Sequence, residues 1–174
     1  QEDKAGKPFV GPIGEMLDEV LRKVGIDRTE VYVTNAVKHF KWEPRGKRRI
    51  HSKPGAREVA ACKPWPKAEV EVVRPLVIVA LGATAAQAML GKTFKVTEGR
   101  GEPVRDNEWA PCVIATVHPS SLLRVPDPRQ REAAVARFEE DLRVVKKELD
   151  RIAATRRGRQ QQQQQQGKRA QEAE

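Results

Sequence analysis

Between Ile13 and Val24 the apolar residues fall at Ile13, Met16, Leu17, Val20, Leu21 and Val24, and Gly25 follows. Steps of three and four put them on one buried face, so the pattern predicts a helix that stops at the glycine. The period then changes. Val31-Tyr32-Val33-Thr34 is short, β-branched and aromatic, and it ends at Asn35. Pro75 to Gly82 and Cys112 to Val117 are continuous apolar runs. These segments read as buried parallel strands, apolar on both faces. Ala83 to Leu90 has helical composition, and from 128 to 153 the residues Val135, Phe138, Leu142, Val145, Leu149 and Ile152 again alternate steps of three and four. That spacing predicts a long amphipathic closing helix. Strand and helix therefore alternate, which predicts a three-layer α/β/α domain over residues 1–153 with a short, mainly parallel central sheet.

Past that helix, Arg156-Arg157-Gly158-Arg159 leads into the glutamines 160–166 and a charged end. Nothing there is apolar enough to offset the entropy of ordering, so 154–174 is expected to be a disordered Arg/Gln-rich tail acting as a spacer. At the other end, Gln1 is not a methionine and the chain runs at once into Pro8-Phe9-Val10-Gly11-Pro12, which reads as mid-domain. A segment is expected to precede it.

The net charge of +9, from 33 Lys and Arg against 24 Asp and Glu, favours a polyanionic partner such as nucleic acid. No stretch approaches the roughly 18 apolar residues of a membrane span, and the start is charged rather than signal-like. The expectation is a cytoplasmic protein with no membrane partner. Cys62 and Cys112 are too few for a disulfide framework and are free, paired once, or metal ligands. Within a run of apolar residues, Cys112 reads as a small buried hydrophobe.

Ligands of open parallel sheets meet the carboxyl ends of the strands, and polar residues stand there. Asn35-Ala36-Val37-Lys38-His39 follows one predicted strand, and His118-Pro119-Ser120-Ser121-Leu122-Leu123-Arg124 follows another. An asparagine amide donates and accepts at once, which suits the edge of a nucleobase. Taken alone, Asn35 also suits a turn and His118 a structural role.

Three segments in order, Gly6-Lys7-Pro8-Phe9-Val10-Gly11, Val31 to Lys38 and His118-Pro119-Ser120-Ser121, resemble the uracil-DNA glycosylases of the iron-sulfur branch. The resemblance reaches from Gln1 to about residue 150. It implies that Phe9 stacks on an extruded uracil, that Asn35 reads its polar edge with Ser120 among the binding residues, and that His118 supports the uracil O2 as the base leaves. Cleavage between C1′ and N1 leaves an oxocarbenium-like sugar and a uracil anion, so a donor at O2 meets charge where it develops. An aromatic platform offsets the cost of unstacking the base.

The segment Lys41 to Arg57 carries seven basic residues and one acidic residue, Glu43, and should seek phosphate. Within it, Lys47-Arg48-Arg49-Ile50-His51 is similar to the loop of the covalently trapping branch, UdgX. That likeness implies that His51 attacks C1′ and stays attached to DNA, with Lys47 and Arg49 positioning the loop or the phosphates. Neutral imidazole is a competent nucleophile. On composition alone, His51 reads as a phosphate contact.

The same resemblance implies a 4Fe-4S cluster, with two ligands upstream of this chain and two within it. Cys62 matches one position, and His39 stands where the other cysteine is usual; histidine ligates iron in some clusters. His39 also suits packing or a contact to DNA. The acidic segment that positions water in the family precedes Gln1, and Asp3 at its edge is a candidate to orient water or His51. Pro66 replaces a usual leucine and is expected to shorten the helix that follows. The expected partner is uracil-containing DNA, single-stranded by preference, bound by a monomer. Two other readings remain: a turnover glycosylase that leaves abasic DNA, and a noncatalytic module that binds uracil or single-stranded DNA.

Overall fold

The computed structural model describes residues 9–38, 42–45, 48–52 and 54–171, with backbone alone for 42–45, 48–51, 56 and 167–171. The elements are α1 (Pro12–Lys23), a 3-10 turn (Arg28–Glu30), β1 (Trp42–Arg45), β2 (Arg48–His51), α2 (Ala56–Cys62) and α3 (Pro64–Val73). They continue with β3 (Val77–Leu81), α4 (Ala83–Leu90), α5 (Val96–Gly99), β4 (Pro103–Arg105), β5 (Cys112–Thr116), α6 (Pro119–Leu123) and α7 (Pro128–Gln171). In α1, Pro12 opens the helix where its missing N–H costs nothing, Glu15 faces the positive end and Arg22 and Lys23 the negative end.

The central sheet has the order β3-β5-β4. β3 runs parallel to β5, from Val77 opposite Cys112 to Leu81 opposite Thr116, whereas the short edge strand β4 is antiparallel, with Pro103 opposite Ile114. The sheet is therefore short and mixed, with the parallel pairing the longer of the two. All of β5 is buried, as a middle strand covered on both faces must be. On one side Cys112 and Ile114 join Leu17, Val20 and Leu21 of α1 and Phe138, Leu142 and Val145 of α7. On the other, Ala80 and Ala115 meet Ala86 of α4 and Val96 of α5. The three-layer α/β/α arrangement is present. Each large side chain buried here, Phe138 and Ile114 among them, contributes about 1.5–3 kcal/mol.

Two buried carboxylates fasten α7 to the sheet. Asp141 accepts from Arg100 Nε at 2.8 Å and from the Thr116 hydroxyl. Glu148 accepts from Arg105 at 2.7 Å and from Arg151 at 2.8 Å, and these guanidiniums hold its carboxyl down at about 2. Burial pushes the Cys112 thiol up, in keeping with a small hydrophobe inside the sheet.

Four expectations meet a different outcome. Val31 to Thr34 forms no strand; the 3-10 turn before it leads into extended chain outside the sheet, and Tyr32 is 57% exposed. The loop from Lys41 contains an antiparallel hairpin, β1 with β2. Pro66 does not shorten α3, because it lies in the first turn, where amides have no acceptor within the helix. Finally, α7 continues past 153 to Gln171, with the side chains from Ala154 to Gln166 exposed. Extending an existing helix needs no new nucleus, and alanine, arginine and glutamine all favour it. Among the described residues no helix is long and apolar enough to cross a membrane.

Candidate active site

Phe9 stands two residues ahead of the N-cap of α1 with φ 56°, a left-handed conformation unusual for a bulky residue. Such strain persists only where the surroundings enforce it, and it is concentrated at functional sites. Gly14 leaves the room for it: the first turn of α1 packs so closely that a Cβ on Gly14 would lie 1.8 Å from the Phe9 carbonyl oxygen. The Phe9 ring stacks on the imidazole of His118, centroids 5.4 Å apart and planes at 26°.

His118 follows β5 and caps α6. The Ser120 backbone N–H donates to His118 Nδ1 at 3.2 Å, and the Ser120 hydroxyl lies 2.8 Å from the same nitrogen. Arg124 donates to that hydroxyl oxygen at 3.3 Å, and the backbone donor makes Nδ1 an acceptor. An acceptor at Nδ1 places the ring proton of the neutral imidazole on Nε2. Opposite lies Gly82, at φ 87° after β3, where a Cβ would come within 3.0 Å of His118 Cβ. The ends of both parallel strands thus converge on this histidine.

Asn35 is exposed in the loop after the extended segment. Its neighbours are tied to α3. Lys38 Nζ donates to Glu69 at 2.6 and 2.8 Å, the Thr34 hydroxyl at 3.2 Å and the Tyr32 hydroxyl at 3.3 Å. Lys38 also donates to Thr34. Glu69 belongs to no motif, so sequence reasoning passed over it, as it did Gly14 and Gly82; only the glycines carried a signal, as residues suited to close approach.

The model of the uracil DNA glycosylase superfamily matches residues 1–143. The chain belongs to the uracil-DNA glycosylase superfamily. It is 40% identical over 151 residues to a Type-4 uracil-DNA glycosylase of Thermotoga maritima, a match covering 85% of this chain and 73% of the relative. It is 32% identical over 133 residues to the Type-4 enzyme of Pyrobaculum aerophilum, covering 72% and 63%. A Type-5 uracil-DNA glycosylase of the same archaeon is 37% identical over 105 residues, 59% of this chain and 42% of the relative. The chain thus spans between two fifths and three quarters of these relatives.

In this superfamily member the basic segment folds as a ribbon whose register sets Trp42 opposite His51, Glu43 opposite Ile50 and Pro44 opposite Arg49. His51 closes the ribbon at its base, and Arg49 sits two positions earlier on the same strand. Asp3, His39 and Lys47 lie outside the described residues. The structure brings Phe9, His118 and Ser120 together, while the Asn35 loop is anchored separately on α3.

Cys62 ends α2, 5% exposed and with a free thiol. A buried sulfur is the donor an iron-sulfur cluster takes, so the residue fits one ligand position. Beside it, Lys63 pairs with Glu108 at 3.5 Å and lies over the ring of buried Trp109 at 5.3 Å. Among the described residues no three His, Cys, Asp or Glu side chains gather as a metal site.

Proposed function

We propose that this protein recognises uracil in DNA, takes it out of the base stack, cleaves its glycosidic bond and becomes joined to the sugar through His51. The observation that carries the reading is the pairing of Phe9 with a His118 whose Nδ1 accepts a backbone N–H. That arrangement sets an apolar ring face beside an Nε2–H donor. The relatives named as uracil-DNA glycosylases supply the base.

Flipping a base costs a few kcal/mol, which stacking on Phe9 and hydrogen bonds from Asn35 offset. As the C1′–N1 bond breaks, its electron pair leaves with uracil, and His118 Nε2–H stabilises the charge appearing on O2. Ser120 keeps the donor proton on Nε2. The lone pair of neutral His51 then forms a bond to C1′; the resulting imidazolium releases its other ring proton to water, and the uracil anion takes up one. Asp3 would orient water or His51, and Lys47 and Arg49 would hold phosphates near the ribbon. Cys62, with His39, would hold a 4Fe-4S cluster, a group that would brace α2 against its neighbours.

The 40% identity to a Type-4 enzyme favours a second reading, repeated turnover with water in place of His51. The test uses the full-length protein and a single-stranded oligonucleotide with one uracil, heated in detergent and run on a denaturing gel. A shifted band that needs both uracil and His51, and is lost in His51→Ser, is the expected result. Free uracil without a shifted band would establish turnover, and binding without free uracil would establish a noncatalytic module.

A further inference from the structure

The carboxylate of Glu69 receives donors from residues on both sides of Asn35. Tyr32 and Thr34 precede it by three positions and one, and Lys38 follows it by three. All come from a loop without strand or helix, so no backbone ladder holds that segment in place. The anchor is instead a single side chain on α3, a helix defined over ten residues. The pair at its centre is sheltered, with Lys38 22% and Glu69 26% exposed, and Lys38 reaches both carboxylate oxygens. Charge-assisted bonds of this kind are roughly twice as strong as neutral ones. Lys38 also donates to Thr34, whose hydroxyl donates to Glu69, so the two flanks of Asn35 are joined to each other as well as to the helix. Asn35 itself is exposed between them.

We propose that Glu69 is a positioning residue that sets uracil recognition by clamping the loop on either side of Asn35. The inference rests on the reading of Asn35 as the residue facing the base. A group that reads a base edge has to be held to within about half an ångström, and a loop can supply that only when its own neighbours are locked. Freezing the loop before the base arrives also removes an ordering cost that binding would otherwise bear. Glu69 has no part in bond cleavage. Its effect passes through Asn35, and so should appear in affinity for the base itself.

The test compares full-length wild type with Glu69→Ala, Glu69→Gln and Asn35→Ala, measuring single-turnover release of uracil from single-stranded DNA, the dissociation constant for free uracil, and the thermal midpoint. Glu69→Ala is expected to slow release about 10- to 100-fold, the size of effect produced by a displacement near 1 Å, and to weaken free uracil binding by a similar factor. Glu69→Gln keeps an oxygen for Tyr32 and Thr34 but not the charge for Lys38, and should fall between. Wild-type release and uracil affinity in Glu69→Ala, with Asn35→Ala impaired, would overturn the clamp. Slow release with unchanged uracil affinity would overturn it too, because a clamp that acts through Asn35 has to change affinity for the base. Wild-type behaviour in Asn35→Ala would overturn the reading of Asn35 itself, whatever Glu69 does.

Discussion

Gly14 and Phe9 share a space that admits no side chain: a methyl group on Gly14 would overlap the Phe9 carbonyl oxygen, 1.8 Å away. Backbone, not a flexible side chain, is what it would strike. Gly14→Ala must therefore push Phe9 out of its left-handed conformation or tilt the first turn of α1. A cost of about 1–3 kcal/mol is expected in urea unfolding, as for overpacking elsewhere. Uracil release should fall about 100-fold in single-turnover assays. Wild-type release in a folded Gly14→Ala protein would show that the stacking platform does not depend on this contact.

The Ser120 contacts to His118 predict a tautomer. Nitrogen-15 spectra of the imidazole near neutral pH should show the proton on Nε2, with Nδ1 as acceptor. Ser120→Ala retains the backbone donor and should keep that pattern while slowing release about tenfold, since one of two contacts to Nδ1 is lost. His118→Ala removes the donor to O2 and should cost about 100- to 1,000-fold. A proton found on Nδ1 would contradict the geometry.

Glu148 makes stability depend on acid. Its carboxyl lies at about 2 in the folded protein against 4.5 ordinarily, through hydrogen bonds from Arg105 and then Arg151. A depressed carboxylate contributes fully above its unfolded value and loses that contribution as pH falls through its folded value, so the window runs from 4.5 down to about 2. Arg105 and Arg151 are about half exposed, and solvent screening reduces the contribution to roughly 1–2 kcal/mol. Glu148→Gln should be less stable at neutral pH and lose part of the decline between pH 4.5 and 2 in urea titrations. An unchanged acid limb would remove Glu148 from that role.

Beyond Ala153 the side chains of α7 are exposed, from Ala154 to Gln166. We propose that this extension frays in solution. Deleting residues 156–174 should leave the thermal midpoint unchanged, and amide hydrogens of the glutamine run should exchange far faster than those near Phe138. A marked drop in the midpoint would mean that the tail packs on the domain.

The elements most legible in the sequence were those whose own periodicity reports burial. In α1, Leu17, Val20 and Leu21 are buried where the spacing put them; β3 and β5 follow their apolar runs; Phe138, Leu142 and Val145 of α7 face the core. Val31-Tyr32-Val33-Thr34 misled because β-branched composition favours extended chain without supplying a neighbour to pair with. The ribbon 42–51 was hidden for the converse reason: its residues are basic and polar, and its pairing is a relation between two short segments that neither displays alone.

What the sequence determined by itself was the layered α/β class, the helices with a clear apolar face, and the order of the motifs holding Phe9, Asn35 and His118. Those properties are local, set by the spacing of side chains along one element. Tertiary structure alone decided that Phe9 stacks on His118, that Gly14 and Gly82 leave just enough room for them, and that Glu69 clamps the loop of Asn35. Each joins residues far apart in the chain, and such contacts exist only once the sheet and helices have been packed into one core.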